Sequence, residues 1–543
     1  MIVPSAQLLK VARRTAEDGG GRGFVRDLDA NVDRINRLLG FGTSYDVILR
    51  RVRAGGVDVA VYAINGFFQT LTNLELLVQV VQSRPEGTGG PGPARGAPDG
   101  GHGREDGGDP AAEGGPGPDG AAPRAPMPVL RSLLQRQLAY SQVTVIRDFD
   151  EALRMLLSGP MLILVDGEAA GIVVDTRWYP DRTPSMPNTE QVVHGPQDGF
   201  VENIIMNTAL IRRRIRQPGL RFELTEVGRR SKTDVAVAYI DGLTDPALVE
   251  RVKRRLQSVE IDGIPMAEQP VAELLGGRPW NPFPTVRMTE RPDVAATELL
   301  DGHVVVVTDT TPVAISCPVS LFQLLQHPED YHVSPTFGTY LRWVEFLGIL
   351  LAVLVPPVWL LLATHPGLLR LVPALAFVGV KTGTALPLAL QFLLAEGGID
   401  ILRRAILNSP PGLATTFGIL GAVIFGQVAT KVGLFTPEAL LYMVAAAIAS
   451  FAISNIELGD TSRMTRISLL VLTWLWALPG LVVGLLFWLI LAARTDSLGL
   501  PYLWPVAPWN WLALRSILIR EPVFQRAPRP AWLHPRDRWR GAP

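Results

Sequence analysis

The chain has 543 residues, of which 48% are hydrophobic and 19% are charged, and its 51 basic residues balance its 51 acidic residues. The zero net charge gives no reason to expect a nucleic acid partner. A single cysteine, Cys317, excludes an internal disulfide and a cysteine-rich metal cluster, so we interpret it as a buried structural thiol.

The first predicted module contains a strand and a helix. Val57–Phe67 is rich in β-branched residues and ends in an Asn-Gly turn, and Leu71–Gln82 has a helical pattern. The N-terminus has no apolar stretch of the kind found in secretory signal peptides. We therefore expect the soluble part of the chain on the cytoplasmic side.

A Gly/Pro-rich segment follows the first module. Residues 85–125 contain no Val, Ile, Leu, Met, Phe, Tyr or Trp, and most positions are glycine, proline, alanine or charged. Such a segment cannot bury enough apolar surface to offset its ordering entropy. We predict a disordered tether between two soluble modules.

The second module repeats the style of the first. Thr233–Leu243 resembles Val57–Phe67 and is followed by a predicted helix over Pro246–Val259, and further strands are predicted at Met161–Asp166 and Val304–Thr308. Strands that alternate with amphipathic helices indicate α/β modules. The local similarity suggests a duplicated unit, with chance as the alternative.

Apolar stretches then dominate the chain. Four of them are long and apolar enough to cross a bilayer as helices: Val344–Thr364, Leu413–Thr430, Ala439–Ile456 and Ile467–Ala493. The first is free of charge from Phe346 onward, and the other three are free of charge throughout. Thr384–Leu407 also begins apolar but carries four charges, so it could cross the membrane, re-enter it or lie in the interface.

The number of crossings decides the side on which the Arg-rich tail lies. Five crossings would place the tail opposite the soluble half, against the positive-inside tendency. We prefer an even number, and a broken or re-entrant helix at Pro479-Gly480 would supply it.

The prediction is an α+β multi-pass membrane protein with two cytoplasmic α/β modules and an α-helical transmembrane bundle. Its expected regions are an N-terminal module (1–83), a disordered linker (84–127), a second soluble module (128–340), a transmembrane domain of four to five segments (341–495) and an Arg/Pro-rich tail (496–543).

No enzyme signature is present, and we predict no catalytic residue, no cofactor and no metal site. The clusters Arg212–Arg214 and Arg229–Arg230 fit a solvated surface better than a phosphate site. The histidines lack a second ligand at metal spacing and are expected to be structural or exposed.

Polar residues within the apolar half are the strongest candidates for function. Glu396, Asp400 and Arg403 share one face of a helix. Charges near a bilayer are costly unless they are paired or hydrated, so they mark a functional site or an interfacial helix with its polar face in water. In the first case Glu396 and Asp400 face a water-filled path between subunits and favour cations. Gln427 needs a partner from another helix or from water.

Many segments, in order along the chain, resemble the bacterial spore germinant receptor A-subunit family. The segments are Pro187–Asn203, Asn207, Leu210–Ile215, Tyr239–Gly242, Asn281–Pro284, Thr289–Asp293 and Glu329–Tyr331. The motif residues that we single out are Thr189, Glu190, Gly195, Gly199, Phe200, Glu202, Asn203, Asn207, Arg212, Arg213, Arg214, Asp241, Gly242, Pro282, Phe283, Pro284, Glu290, Arg291, Pro292, Asp293, Asp330 and Tyr331.

Four further segments are similar to one branch of that family: Gly338–Trp343, Val432–Glu438, Pro501–Pro505 and His534–Arg538. Two departures from the family pattern are the long tether and Arg403-Arg404-Ala405, where germinant receptors often carry Arg-Glu-Ala. The resemblance implies residence in the spore inner membrane and a role in germination.

The resemblance also implies assembly of A-subunits into an ion-releasing channel. The first hypothesis is therefore a homo-oligomeric, ion-conducting subunit embedded in membrane lipid. The alternative is a non-conducting scaffold that holds other germination membrane proteins. A secondary transporter fits less well, because no repeat is visible among the apolar segments.

Overall fold

The computed structural model describes residues 23–54, 56–67, 143–176, 187, 190, 192–258, 261–266, 268–277, 280–369, 379–380, 386–522 and 529–540. These residues form two compact units. The first contains residues 23–176 and the second contains 187–215 and 219–540. The predicted linker (84–127) and the predicted helix Leu71–Gln82 lie outside the described residues.

The first unit is a five-stranded sheet with helices. Its elements are α1 (Leu28–Leu39), β1 (Val47–Ala54), β2 (Val57–Ile64), β3 (Val143–Ile146), α2 (Phe149–Leu157), β4 (Met161–Val165) and β5 (Gly171–Val174). The strand order is β1-β2-β4-β5-β3. Its core is formed largely by apolar residues on β2, β4 and β5, such as Val61, Ile163 and Ile172.

The sheet region of the second unit has the same organisation. Its elements are α3 (Ile204–Arg214), β6 (Leu220–Val227), β7 (Thr233–Ile240), α4 (Pro246–Gln257), α5 (Glu268–Gly276), β8 (Arg287–Thr289), α6 (Pro292–Asp301), β9 (Val304–Thr308) and β10 (Ala314–Cys317). The strand order is β6-β7-β9-β10-β8, which is that of the first sheet with five added to each strand number. Cys317 is fully buried in its core, as expected.

Equivalent hydrogen bonds support a duplicated unit. Asn31 is the fourth residue of α1. Its side chain accepts a hydrogen bond from the Val25 amide (3.1 Å) and donates one to the Val25 carbonyl (2.6 Å). In the fourth position of α3, Asn207 makes the same two bonds with Val201, at 2.8 and 2.5 Å.

An aspartate that follows the fourth strand of each sheet also plays the same part. Asp166 accepts from the Leu28 amide (3.3 Å), and Asp309 accepts from the Ile204 amide (3.0 Å). In each case the amide belongs to the first residue of the helix, where it has no partner within the helix. Shared strand order could arise by convergence, but shared side-chain contacts at matched positions favour duplication.

The modules are α+β rather than α/β, which corrects the class predicted for the modules but not the α+β class predicted for the chain. Every pairing in both sheets is antiparallel. The α/β prediction depends on strands that alternate with helices, and it includes only one strand of the β1–β2 pair and one of the β6–β7 pair. Short turns instead join β1 to β2, β6 to β7 and β9 to β10, and such turns permit only antiparallel pairing.

The rest of the second unit is mainly helical, apart from a small antiparallel pair of strands, β11 (Asp496–Ser497) and β12 (Leu500–Pro501). Its main helices are α7 (Pro335–Thr364), α8 (Leu388–Leu407), α9 (Pro411–Val423), α10 (Pro437–Phe451), α11 (Ile456–Arg494) and α12 (Trp511–Leu518). A π-helical turn at Ile424–Val428 and a short turn at Ala429–Lys431 continue α9. Among the described residues, α7 and α11 are the helices long and apolar enough to cross a membrane.

Helix α11 is a hairpin of two antiparallel arms. Trp488 Nε1 donates to Ser468 Oγ at 2.7 Å, although 20 residues of straight helix would separate them by about 30 Å. The bend lies at Ala477, whose φ of 50° and ψ of −133° are not helical. A Cβ on Gly480 would lie 2.0 Å from the Leu472 carbonyl oxygen, so only glycine fits where the arms meet. A break near Pro479-Gly480 was one of the predicted arrangements.

The C-terminal segment returns to the sheet region of the same unit. Arg536 donates its amide to the Leu243 carbonyl at 3.0 Å, and Arg540 forms an ion pair with Asp301. The side chain of Arg529 donates to the Leu300 carbonyl at 2.8 Å. Both ends of the helical region therefore lie beside the sheet region, as an even number of helical passes requires.

Candidate functional site in the helical bundle

Six charged side chains form a chain of ion pairs between α8 and the first arm of α11, and we call this set the charge ladder. From the bundle interior outward its members are Arg466, Glu396, Arg463, Asp400, Asp460 and Arg403. The shortest N···O distances are 2.7 Å for Arg466–Glu396, 2.8 Å for Arg463–Asp400 and 3.1 Å for Arg403–Asp460. Arg463 also lies 3.6 Å from Glu396 and 3.3 Å from Asp460.

The ladder follows from residue spacing on two antiparallel helices. Glu396, Asp400 and Arg403 recur every three or four residues along α8, and Asp460, Arg463 and Arg466 recur every three residues along α11. Such spacing places each set on one helix face. Three carboxylates therefore meet three guanidinium groups, and the described ladder carries no net charge.

Arg466 joins four helices. Its guanidinium donates to both carboxylate oxygens of Glu396 in α8 (3.1 and 2.7 Å), to the Ala352 carbonyl in α7 (2.7 Å) and to Ser450 Oγ in α10 (3.2 Å). The side chains of Arg466 and Glu396 are only 2% and 4% exposed. Because a buried charge is costly without partners, these four bonds are what allow the pair to lie inside the bundle.

The predicted residues Glu396, Asp400 and Arg403 do share a face, and the structure gives each of them a partner. Asp400 and Arg403 are 40% and 37% exposed, whereas Glu396 is buried. Their role at a water-filled path stays a prediction. In the described chain, attraction of a cation by these carboxylates would first require their arginine partners to move away.

Gln427 is separate from the ladder. It lies in the π-helical turn Ile424–Val428 and its side chain is exposed. Within the described part of the chain no hydrogen bond reaches that side chain. Its neighbour Gly426 is also exposed, with open space around the position of a Cβ. The predicted need of Gln427 for an outside partner therefore remains.

The motif Asn281–Pro284 connects the sheet region to the open end of the α11 hairpin. Asn281 Nδ2 donates to Thr495 Oγ1 at 2.9 Å, and Thr461 Oγ1 donates to the Pro282 carbonyl. The Phe283 ring packs against Trp488, with centroids 5.8 Å apart. Thr461 belongs to the first arm and follows Asp460 of the ladder, so the motif contacts the helix that carries half of the ladder.

A second buried network unites motif residues inside the sheet region. Glu190 accepts from Arg287 (3.2 Å) and from Thr289 Oγ1, and its carbonyl accepts from Arg291 at 3.2 Å. Arg287 also pairs with Glu298 at 3.3 Å. Burial lowers the pKa of Arg287, but the carboxylates of Glu190 and Glu298 outweigh it and the pKa lies above its ordinary value. The network fixes the loop before α3 against β8.

Other motif residues have local structural roles. Arg291 pairs with Asp293 at 2.7 Å, and Arg214 makes a bidentate pair with Asp198 at 2.6 and 2.7 Å. Asn203 caps α3, which Asn207 ties to the preceding loop. Asp330 lies 3.4 Å from Arg342 at the start of α7, and the ring of its neighbour Tyr331 lies under the guanidinium of Arg342.

The remaining motif residues do not gather at a common site. Phe200 is buried and donates its amide to the Glu290 carbonyl at 2.8 Å. Gly195, Glu202, Arg213, Asp241 and Gly242 are exposed. Gly199 and Pro284 are buried in loops, and Pro292 is buried at the start of α6. Thr189 lies outside the described residues.

The expectation of a solvated arginine cluster is wrong for Arg212. This residue is 1% exposed, donates to the Leu220 carbonyl at 3.1 Å and lies over the Phe222 ring. Its position on the core-facing side of α3, between Thr208 and Ile215, is the sequence signal that separates it from Arg213. Arg229 and Arg230 are exposed and both pair with Asp262.

Arg463 and Arg466, two of the three arginines of the ladder, are not among the residues predicted from sequence. The predicted span begins at Ile467, the first residue after the last charge, so both arginines lie just before it, although they fall within the predicted transmembrane domain (341–495). The regular spacing of Asp460, Arg463 and Arg466, opposite in sign to the set on α8, is the signal that could have identified them.

The fold and the site define a class of protein in which a duplicated sheet region is joined to an apolar helical bundle that fits membrane association. Residues 35–532 match the family described as Bacillus/Clostridium GerA spore germination protein, and the chain belongs to this family. The resemblance to germinant receptor A-subunits is thereby confirmed, and the chain is a spore germination protein of the A-subunit type.

Relatives agree with this assignment. Stage V sporulation protein AF of Bacillus subtilis (strain 168) is 38% identical over 510 residues, which cover 94% of this chain and 96% of that protein. This protein represents the branch of the family that the four segments Gly338–Trp343, Val432–Glu438, Pro501–Pro505 and His534–Arg538 indicate. Spore germination protein GerLA of Bacillus cereus is 28% identical over 410 residues, covering 75% and 83% of the two chains.

A solved structure also matches. The crystal structure of the N-terminal domain of the A subunit of the Bacillus megaterium spore germinant receptor GerK3 is 24% identical. It covers 55% of this chain and 96% of that chain, with a TM-score of 0.38.

Proposed function

We propose that the chain is a non-enzymatic subunit of a homo-oligomer in the spore inner membrane, and that copies surround a water-filled path through which ions leave during germination. The sheet modules lie on the cytoplasmic (core) side and relay a signal to the bundle. Other germination membrane proteins are the expected partners in delivering that signal.

The exposed Gln427 in a π-helical turn is the observation that carries the proposal. In lipid a glutamine amide needs a hydrogen-bond partner, which must come from water or from another chain. Thr415 and Thr416 on the same helix are exposed as well. Single π-turns within α-helices are frequent at functional sites. We infer that this face of α9 lines the path between subunits.

The passes of the bundle agree with this arrangement. The described helices α7, α8, α9 and α10 and the two arms of α11 make six passes, and both ends of the set adjoin the sheet region. An even number keeps the Arg-rich tail with the soluble modules, in accord with the positive-inside tendency.

The experiment is reconstitution of the full chain into phospholipid vesicles, with ion efflux and subunit stoichiometry measured on the same sample. Gln427→Leu removes the amide from the proposed path and should strongly reduce efflux, whereas Gln427→Asn keeps an amide and should retain most of it. Ile419→Leu, an exposed apolar position on the same helix, is the matched control and should leave efflux unchanged.

A vesicle that contains an intact oligomer yet stays ion-tight, with and without germination partners, would refute conduction. Binding of those partners to the same ion-tight sample would favour the scaffold. Equal efflux from Gln427→Leu and the unmodified chain would remove α9 from the path while leaving conduction itself in place.

A further inference from the structure

The C-terminal helix α12 has two chemically similar faces with different surroundings. Ala513 and Ile517 are buried in an apolar cluster with Trp504 and Trp532. On the opposite side Leu512 is 69% exposed, and the neighbouring Trp511 is 59% exposed. Burial in the protein therefore covers one apolar face of this helix and leaves the other uncovered.

Other large exposed side chains lie close by in the fold. Trp509, 65% exposed, stacks on Trp511 with ring centroids 6.4 Å apart. Tyr340 and Trp343 are exposed on the first turns of α7. We call these five residues, Tyr340, Trp343, Trp509, Trp511 and Leu512, the aromatic patch.

Hydrogen bonds fix α12 against the beginning of α7. Arg342 donates to the carbonyls of Ser516 and Ile517 at 3.0 and 2.9 Å. Trp343 Nε1 donates to the Leu518 carbonyl at 3.1 Å. The C-terminal end of α12 is consequently held beside the first turns of α7.

The part of α7 that carries Tyr340 and Trp343 lies just before the charge-free part of this helix. Trp343 precedes Phe346, the first residue of that stretch, by three residues, and Tyr340 precedes it by six, which corresponds to about 5 and 9 Å along a helix. The headgroup region occupies about 5–8 Å on each side of the hydrocarbon core. Beyond Phe346 the exposed surface of α7 continues with Leu347, Leu350 and Leu351.

We propose that the aromatic patch binds the headgroup region of the phospholipid bilayer, so that α12 lies in the membrane interface and anchors the C-terminal segment there. Tryptophan and tyrosine favour this region because each combines an apolar ring with a polar group. The patch continues the apolar surface of α7, and the exposed Arg515 on α12 can face anionic headgroups. The inference rests on the proposed membrane location.

Nitroxide depth measurements on the full chain in phosphatidylcholine/phosphatidylglycerol vesicles test this anchor. The one native cysteine, Cys317, is fully buried, so a single introduced cysteine can be labelled in the folded protein. Leu512→Cys reports on the patch, Glu250→Cys on the solvent-facing side of α4, and Ile448→Cys on the exposed apolar surface of α10.

The label at position 512 should be several-fold less accessible to a water-soluble relaxing agent than the label at 250, and less accessible to oxygen than the label at 448. Water exposure at 512 equal to that at 250, with 448 in lipid, would overturn the anchor alone. Shielding of 512 from both agents would overturn it in favour of a protein contact. Water exposure at 448 as well would instead overturn the proposed membrane location.

Discussion

The buried pair Arg466–Glu396 gives the sharpest test of the ladder. Arg466→Met keeps an apolar stem of similar length but removes four hydrogen bonds and leaves the Glu396 carboxylate inside the bundle. Breaking a buried pair by removing one partner costs about 3–5 kcal/mol. Arg463 remains 3.6 Å from Glu396, so we expect the lower end of that range.

The measurement is the free energy of unfolding of the detergent-solubilised chain, obtained from a denaturant titration in which circular dichroism reports the helix content. Arg403→Met is the matched control, because it also removes one arginine from the ladder but breaks a pair whose side chains are 37% and 52% exposed. Exposed pairs contribute about 0.2–1 kcal/mol. The double variant Glu396→Leu with Arg466→Met removes both charges and should recover much of the loss.

A small effect of Arg466→Met, similar to that of Arg403→Met, would refute the reasoning. It would mean that Glu396 is hydrated in the absence of its partner, as a residue at a water-filled path would be. A large single-variant loss that the double variant does not recover would show that the bonds of Arg466 to Ala352 and Ser450 matter more than its charge.

Two further outcomes follow from local geometry. Gly480→Ala should destabilise the chain by about 1–3 kcal/mol, because the new Cβ would meet the Leu472 carbonyl and force the arms of α11 apart. Gly459→Ala should not destabilise it, because the nearest atom to its new Cβ is 3.8 Å away. Thermal unfolding of both variants provides the check. Burial lowers the pKa of His327, and the Nδ1 atom of its ring accepts a hydrogen bond from the Glu329 amide at 3.1 Å. The folded state therefore favours the neutral ring, and the stability of the fold should fall as the pH drops below about 6.5. His327→Asn keeps an acceptor and cannot titrate, so a thermal midpoint that falls equally in both proteins between pH 7.5 and 5.5 would contradict this assignment.

The sheet region was partly predictable from sequence. Val57–Ile64 and Thr233–Ile240 are continuous runs of β-branched and small apolar residues because each is a central strand with both faces covered. Their partners β1 and β6 carry charged residues at exposed positions, including Arg50, Arg51 and Glu226. Strand periodicity there is weaker, and without those partners the antiparallel topology could not be inferred.

The helical bundle was predictable in position but not in its internal contacts. Hydropathy identified the apolar stretches and Pro479-Gly480 as a break, since both depend on local composition. The register that brings Arg466 to Glu396, 70 residues earlier in the chain, depends on how α8 and α11 pack. Charge-free length therefore predicts a start of α11 that is eleven residues too late, at Ile467 rather than Ile456.

The contact of Pro282 with Thr461 gives the sheet region a direct route to the charge ladder. Movement of the Asn281–Pro284 motif would shift the first arm of α11, which carries Asp460, Arg463 and Arg466. Two helices held by three ion pairs in register have few alternative arrangements, because displacement by one helical turn pairs each charge with a different partner or with none. A rearrangement of this kind would uncover Asp400 and Glu396 together. In the proposed channel, the step that opens the bundle and the step that creates cation attraction would then be the same event.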